Sequence, residues 1–207
     1  MVDPGGTMTQ KQVLIVGGSV LALASVLGLQ ACSEDNGGNT AETRPSTSTS
    51  PPATNESGLV EFRDDGAGFS IGYPPDWERY ESEDPEVRLI ASPNQQDSML
   101  VRVVALETPV GPDTLPALKA VTDEIVKASE GVEILQDAKE VEQGGLPGYS
   151  YLYRFRDSAS GQQGTHSHYF LFKGTSMITI VLQALPEDRL AAMTPVFDKI
   201  IGSFRAN

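Results

Sequence analysis

The uncharged apolar run from Val13 to Leu29, and the Ser/Thr/Pro-rich stretch behind it, limit how much of this chain can build a core. The run leads to Cys32, the only cysteine among 207 residues, so no internal disulfide can staple a fold. From Ser33 to Ser57 the chain carries Gly37-Gly38 and Pro45-Ser46-Thr47-Ser48-Thr49-Ser50-Pro51-Pro52 but no large apolar residue. With nothing to bury, such a segment cannot offset the entropy of ordering, and it reads as an extended, mobile tether. Residues 58–207 remain, about 150, which is the usual size of one domain and enough for a real core.

Lys11 followed by an uncharged apolar core has the layout of an export signal. Leu29-Gln30-Ala31-Cys32 resembles the bacterial lipobox, which implies cleavage before Cys32 and a lipid on its thiol. The expected organisation is a signal peptide over 1–31, lipidated Cys32 with a tether over 32–57, and a folded domain over 58–207. An uncleaved anchor is the competing reading. It needs about 20 apolar residues to cross the hydrocarbon, and this run is somewhat shorter and carries Gly17-Gly18. Met1 and Met8 both stay open as translation starts, since Asp3 offsets Lys11 whereas Met8-Thr9-Gln10-Lys11 is a short basic head. The tether's Ser and Thr residues are candidate O-mannosylation acceptors. The address read from the sequence is the extracytoplasmic face of a cell membrane, held by lipid.

Fifteen Lys and Arg stand against 28 Asp and Glu, a formal charge of −13. That balance argues against nucleic acid, whose phosphates need clustered cations. It also keeps a tethered domain from adhering to an anionic membrane surface.

Within 58–207, Leu59 to Arg63 and Phe69 to Tyr73 flank Asp64-Asp65-Gly66-Ala67-Gly68, a hairpin signal. Pro74-Pro75 ends the second strand. Val87 to Ser92 and Met99 to Glu107 form a second pair around Pro93-Asn94-Gln95-Gln96-Asp97. In the latter strand only Arg102 breaks two apolar faces, which predicts a central, doubly covered strand. Leu115, Leu118, Val121 or Thr122, Ile125 and Ser129 recur at helical spacing from about Asp113 to Glu130, with Asp113 or Thr114 as cap and Gly131 as stop. Strands follow at Glu133 to Glu142, Tyr149 to Arg156, Thr165 to Lys173 and Met177 to Leu185, forming a meander. A last helix opens at Pro186 and carries Leu190, Met193, Phe197, Ile200, Ile201 and Phe204. The class is α+β: a mostly antiparallel sheet of six to seven strands flanked by two main helices, since strands apolar on both faces need cover on both sides.

Gly68-Phe69-Ser70-Ile71-Gly72-Tyr73-Pro74-Pro75-Asp76-Trp77 resembles the opening of the PsbP-like family, and Gly144-Gly145-Leu146-Pro147-Gly148-Tyr149 and Ile200-Ile201-Gly202-Ser203-Phe204 resemble later segments of it. The resemblance covers nearly all of 58–207. The family includes photosystem II extrinsic proteins and the LpqN-like lipoproteins of actinobacteria, and the lipobox and tether fit the lipoprotein branch. It implies an α/β/α sandwich and a binding, assembly or accessory role without catalysis. It makes Phe69, Tyr73 and Trp77 core and Pro74 a strand terminator, so no functional residue carries over.

Catalytic signals are few. His166 and His168, the only histidines, lie two apart on a predicted strand, which places both imidazoles on one face. Such a pair holds Zn, Cu or Mn when further ligands converge, but spacing identifies no third ligand, and the plainer reading is a solvent-exposed polar face. The one Gly-x-Ser-x-Gly match, Gly68-Phe69-Ser70-Ile71-Gly72, runs into a predicted strand after a hairpin turn and not through a strand-to-helix turn, so it makes no nucleophile elbow. Glu78, Glu81, Glu83, Asp84 and Glu86 lack a calcium-loop pattern and read as a solvated acidic loop. Gly17-Gly18 and Gly144-Gly145 lack the remainder of a nucleotide loop. The reading is a non-catalytic envelope lipoprotein without cofactor that binds a protein or an apolar envelope component, with an apolar groove between the last helix and the sheet as the expected surface; a cavity between sheet and helix would favour a lipid or glycolipid, a flat exposed patch a scaffold role beside a transporter or cell-wall enzyme. The alternative is a metal-dependent factor or enzyme using His166 and His168.

Cys32→Ala is expected to abolish lipidation, block lipoprotein-type cleavage and leave an unprocessed precursor. Mass spectrometry that finds native Cys32 unmodified in membrane fractions would refute this.

Overall fold

The computed structural model describes residues 54–128 and 131–207. The export signal, Cys32 and the tether up to residue 53 lie outside the described residues, as does the expected end of the first helix at 129–130. The described fold begins slightly ahead of residue 58. Thr54 bridges to Val60, and the Asn55 side chain accepts the Ser57 and Leu59 amides at 3.0 Å each.

Strands β1 (Val60–Asp64) and β2 (Phe69–Tyr73) form the expected hairpin, with Val60 opposite Tyr73 and Asp64 opposite Phe69. Asp64 closes the turn by accepting the Ala67 amide on its side chain and the Gly68 amide on its carbonyl. A large antiparallel sheet follows, built from β3 (Glu78–Tyr80), β4 (Val87–Ser92), β5 (Ser98–Ala105), β6 (Glu133–Gln143), β7 (Leu146–Arg156), β8 (Gln163–Lys173) and β9 (Ser176–Ala184). Its order is β3-β4-β5-β9-β8-β7-β6, so the last four strands in sequence are the expected meander and β5 docks on β9. Helix α1 (Leu115–Lys127) precedes the meander and α2 (Leu190–Gly202) follows it. A two-residue strand, β10 (Arg205–Ala206), returns to pair with the free side of β2 and completes a separate three-stranded sheet.

Local chemistry explains most boundaries. Gly144 and Gly145, both at positive φ, make the two-residue β6–β7 turn that only glycine enters without strain. Pro116 sits in the first turn of α1, where amides lack helical partners. Thr114 precedes it, but its hydroxyl bonds the Gly111 amide and carbonyl instead of capping the helix. Pro186, Glu187 and Asp188 form a 3₁₀ entry over Glu187–Arg189 rather than the first turn of α2 itself. Arg189 from that entry donates to buried Asp97 at 3.0 Å, tying it to the β4–β5 turn.

Alternation along β8 and β9 sends residues to two different cores. Leu171, Ile178, Ile180 and Leu182 pack with Met193, Phe197, Ile200 and Ile201 of α2 and with Phe69 and Ile71 of β2. Phe170, Phe172 and Met177 face the other way, with Tyr149, Tyr151 and Tyr153, under Leu115, Leu118 and Val126 of α1. This is the α/β/α sandwich, with the small sheet added to the α2 layer. Arg102, the one charge inside β5, is held by Asp84 at 3.0 Å and by Glu86, so part of the acidic loop is an ion-pair partner.

Trp77 is 6% exposed and packs in the α2-side core, as the sequence reading required. Trp77→Ala is expected to cost about 3–5 kcal/mol, visible as a lower urea midpoint; an unchanged midpoint would contradict this placement.

Candidate functional site

The described structure first corrects the reading of the histidines. His166 and His168 share one face of β8, as their spacing required, but that face is not solvent-exposed: they are 3% and 1% exposed. Their rings stack on Phe155 and Phe170, each at 4.0 Å between centroids. The Tyr153 hydroxyl lies between them, 3.2 Å from His166 Nδ1 and 3.1 Å from His168 Nδ1.

Donors and acceptors order this chain in one direction. Gln183 Nε2 donates to the Gln96 carbonyl at 2.8 Å, which leaves Gln183 Oε1 to accept from His166 Nε2–H at 2.9 Å. A neutral His166 protonated at Nε2 must accept at Nδ1, so Tyr153 O–H donates to it. The Tyr153 oxygen then accepts from His168 Nδ1–H. His168 Nε2 is left as a bare lone pair, and it is indeed a buried nitrogen without a partner. Burial holds both imidazoles neutral: it lowers His166 to about 4, against a partial rise from Gln183, and lowers His168 well below its usual value, with His166 adding to the fall. Among the described residues no group of three His, Cys, Asp or Glu side chains converges here or elsewhere. The pair is a polar rung of the α1-side core.

The groove expected between the last helix and the sheet is present on the opposite face. It has a volume of about 560 Å³ between α2 and strands β6 to β8. Leu190, Thr194 and Phe197 form the helix wall, Leu152, Ser150, Ser167 and Tyr169 the floor, and Lys139, Val141 and Gln143 part of the strand wall. Its lining is therefore half polar, not purely apolar. At one end Arg154 bonds Glu187 at 2.6 Å and Glu133 at 2.9 Å; at the other, Gln143 Nε2 donates to the Ile201 carbonyl at 2.7 Å. Burial pushes the Tyr169 hydroxyl up, opposed by a hydrogen bond with Ser167 and aided by Asp198, so it stays a neutral donor and acceptor.

Both serines of the floor alternate with residues that face α1, and the histidines are among the latter. The sheet itself thus separates the imidazoles from the groove hydroxyls. What the groove offers is shape, a partly apolar helix wall, neutral hydrogen-bonding groups on its floor and the charged Lys139, Glu140 and Glu142 along its strand edge. Sequence reasoning located the groove by its elements but none of its lining residues, because Ser150, Leu152, Ser167 and Thr194 carry no motif. Cys32 lies outside the described residues.

The model of the PsbP family matches residues 57–206. No curated protein matches the chain. Among solved structures, the cyanobacterial PsbP (CyanoP) of Synechocystis sp. PCC 6803 superimposes with a TM-score of 0.54 at 18% identity, covering 76% of this chain and 98% of that one. A Bacteroides thetaiotaomicron protein gives 0.51 at 15% identity over 73% of this chain, which spans about half, 49%, of that one. LpqN of Mycobacterium tuberculosis, described as involved in cell envelope biogenesis, gives 0.48 at 15% identity, covering 66% and 82%. At these identities the likeness is one of fold.

The buried rung sets a pH dependence. A base whose folded pKa is depressed takes up more protons unfolded, so its stabilisation is complete above the ordinary histidine value and falls as pH drops through 6.5 toward 4. His166 alone is expected to remove about 2 kcal/mol between pH 7.5 and 5, with His168 acting in the same direction. Urea unfolding at several pH values checks it: His166→Gln is expected to flatten this slope, and a slope equal to wild type would refute the assignment.

Proposed function

Because the chain belongs to the PsbP family, we propose that its folded domain is a non-catalytic binding module, held at the extracytoplasmic face of a membrane by lipid on Cys32. It takes a protein partner or an apolar envelope component in the groove between α2 and β6 to β8. The single observation that carries this is the groove itself, a concave site of the size that ligands occupy, with a partly apolar helix wall and a polar floor. Both histidines lie on the other side of the sheet from its serines, so no Ser–His pair forms in the groove.

The metal reading of His166 and His168 gains no support from the geometry. Tyr153 and Gln183 already engage three of the four ring nitrogens, and the fourth is enclosed. No helix among the described residues is long and apolar enough to cross a membrane; the attachment proposed is the lipid on Cys32.

The test places a photoreactive residue at Thr194 in the full chain, with Cys32 intact, in the native cells. A discrete adduct is expected there and none from Glu124, which is exposed on α1 across the sheet. Adducts from both positions, or from neither, would refute the groove as the binding surface. Thr194→Arg is further expected to abolish competition for that adduct while leaving Cys32 processing unchanged.

A further inference from the structure

We propose that β6 accepts an extended, basic segment of a protein partner as an eighth strand of the large sheet, an inference that rests on the groove reading above and names its partner class. The two ends of the sheet differ. β3 offers only three residues, whereas β6 runs for eleven and, among the described residues, no strand pairs with its outer side. Long free edges invite pairing, and proteins commonly blunt them with bulges and charge. Here the register with β7 is irregular between Ile134 and Lys139, but Lys139 to Gln143 pair regularly with Ser150 to Leu146. The smooth part of the edge is the part that borders the groove.

Charge selects the occupant. All four residues 139–142 border the groove; by alternation Glu140 and Glu142, opposite Tyr149 and Pro147, share one face of the strand, and Lys139, opposite Ser150, shares the other with Val141. Both glutamates are exposed, and none of the ion pairs among the described residues uses them; the ion pair of β6 is made by Glu133, with Arg154. A second copy fits badly, because antiparallel pairing centred on Val141 sets each Glu140 against the other copy's Glu142, and like charges directly opposite are destabilising. A strand with Lys or Arg at alternate positions meets both carboxylates on one face. Its intervening apolar residues then fall on the other face, beside Val141. Main-chain bonds give such an added strand affinity, and the alternating charges give it register. Leu135, 37% exposed and the one large exposed apolar side chain among the described residues, lies farther along the same strand.

The probe is the pentapeptide Val-Lys-Val-Lys-Val, capped at both ends, against the full chain in detergent. Controls are its block isomer Lys-Lys-Val-Val-Val and the acidic Val-Glu-Val-Glu-Val. The alternating basic peptide is expected to bind at least tenfold tighter than the block isomer and to slow hydrogen exchange at the amides of 139–143. Glu140→Lys with Glu142→Lys is expected to transfer the preference to the acidic peptide. Equal binding of the two basic isomers, unchanged exchange at 139–143, or a concentration-dependent dimer protecting those same amides would each overturn the inference. A Thr194 adduct in cells together with unresponsive β6 amides would sink this inference and leave the groove reading standing; strand addition without a Thr194 adduct would do the reverse.

Discussion

The structure depends on β8 and β9 being buried from both sides. Leu171, Ile178, Ile180 and Leu182 on one face and Phe170 on the other are fully enclosed. Neither strand survives without two covers, and the chain supplies them from far apart in sequence. On the α2 side the joint is Ser203: its hydroxyl accepts the Gly72 amide at 2.7 Å and donates to the Ile200 carbonyl at 2.6 Å. A Cβ on Gly72 would lie 2.8 Å from that of Leu59, so the strand can approach only because this residue is glycine. Phe69 stacks on Phe204 at 5.8 Å beside it. The Gly-Phe-Ser-Ile-Gly-Tyr segment and the Ile-Ile-Gly-Ser-Phe segment, which carry the family resemblance at opposite ends of the domain, are two halves of one contact.

The two covers use different chemistry. The α2 face is a mix of aliphatic side chains with the rings of Phe69, Trp77, Phe197 and Phe204, and needs mainly fit. The α1 face is lined by Tyr149, Tyr151 and Tyr153, whose hydroxyls must each find a partner in a dry layer. Tyr149 donates to the Leu115 carbonyl, Tyr151 meets Thr122 and Asp123, and Tyr153 is consumed by the histidine chain. These bonds fix where α1 lies along the sheet, which apolar contact alone does not specify. Aligned in this way, two neutral imidazoles cost less to bury than their composition suggests.

That distinction also marks what was legible in the sequence. Both helices, the β1–β2 hairpin, the β4–β5 pair and the meander were readable, because each has a clear period bounded by glycine or proline. The strand β3 was not, since three residues, Glu78 to Tyr80, show no period, and β10 was hidden for the same reason. The side of the sheet that each strand face meets was also out of reach. His166 and His168 were therefore read as exposed: their alternation with Ser167 and Tyr169 looks like a polar face, and nothing local reveals that Tyr153 and Gln183, thirteen and seventeen residues away, complete their bonds. The groove was legible as a place and not as a lining, because it is made where cover stops.

Simple dimensions say why cover stops there. Seven strands at about 4.8 Å spacing span roughly 29 Å. A helix about 10 Å wide covers about two of them, and a three-stranded sheet covers about as much again. The α2 layer contains one helix and one such sheet, so about three of the seven strands remain without full cover. Phe69, Ile71, Leu89, Val101, Met193 and Phe197 share the α2-side core, in which α2 packs against β2 and β9. The open strip then falls over β6 to β8, toward the far edge, where the groove lies. A strip left open in water cannot be lined by leucine throughout, and Ser150 and Ser167 alternate there with Leu152 and Tyr169. The groove is the remainder of a layer that is too narrow for its sheet, and its mixed lining is what allows that remainder to stay exposed until a ligand covers it.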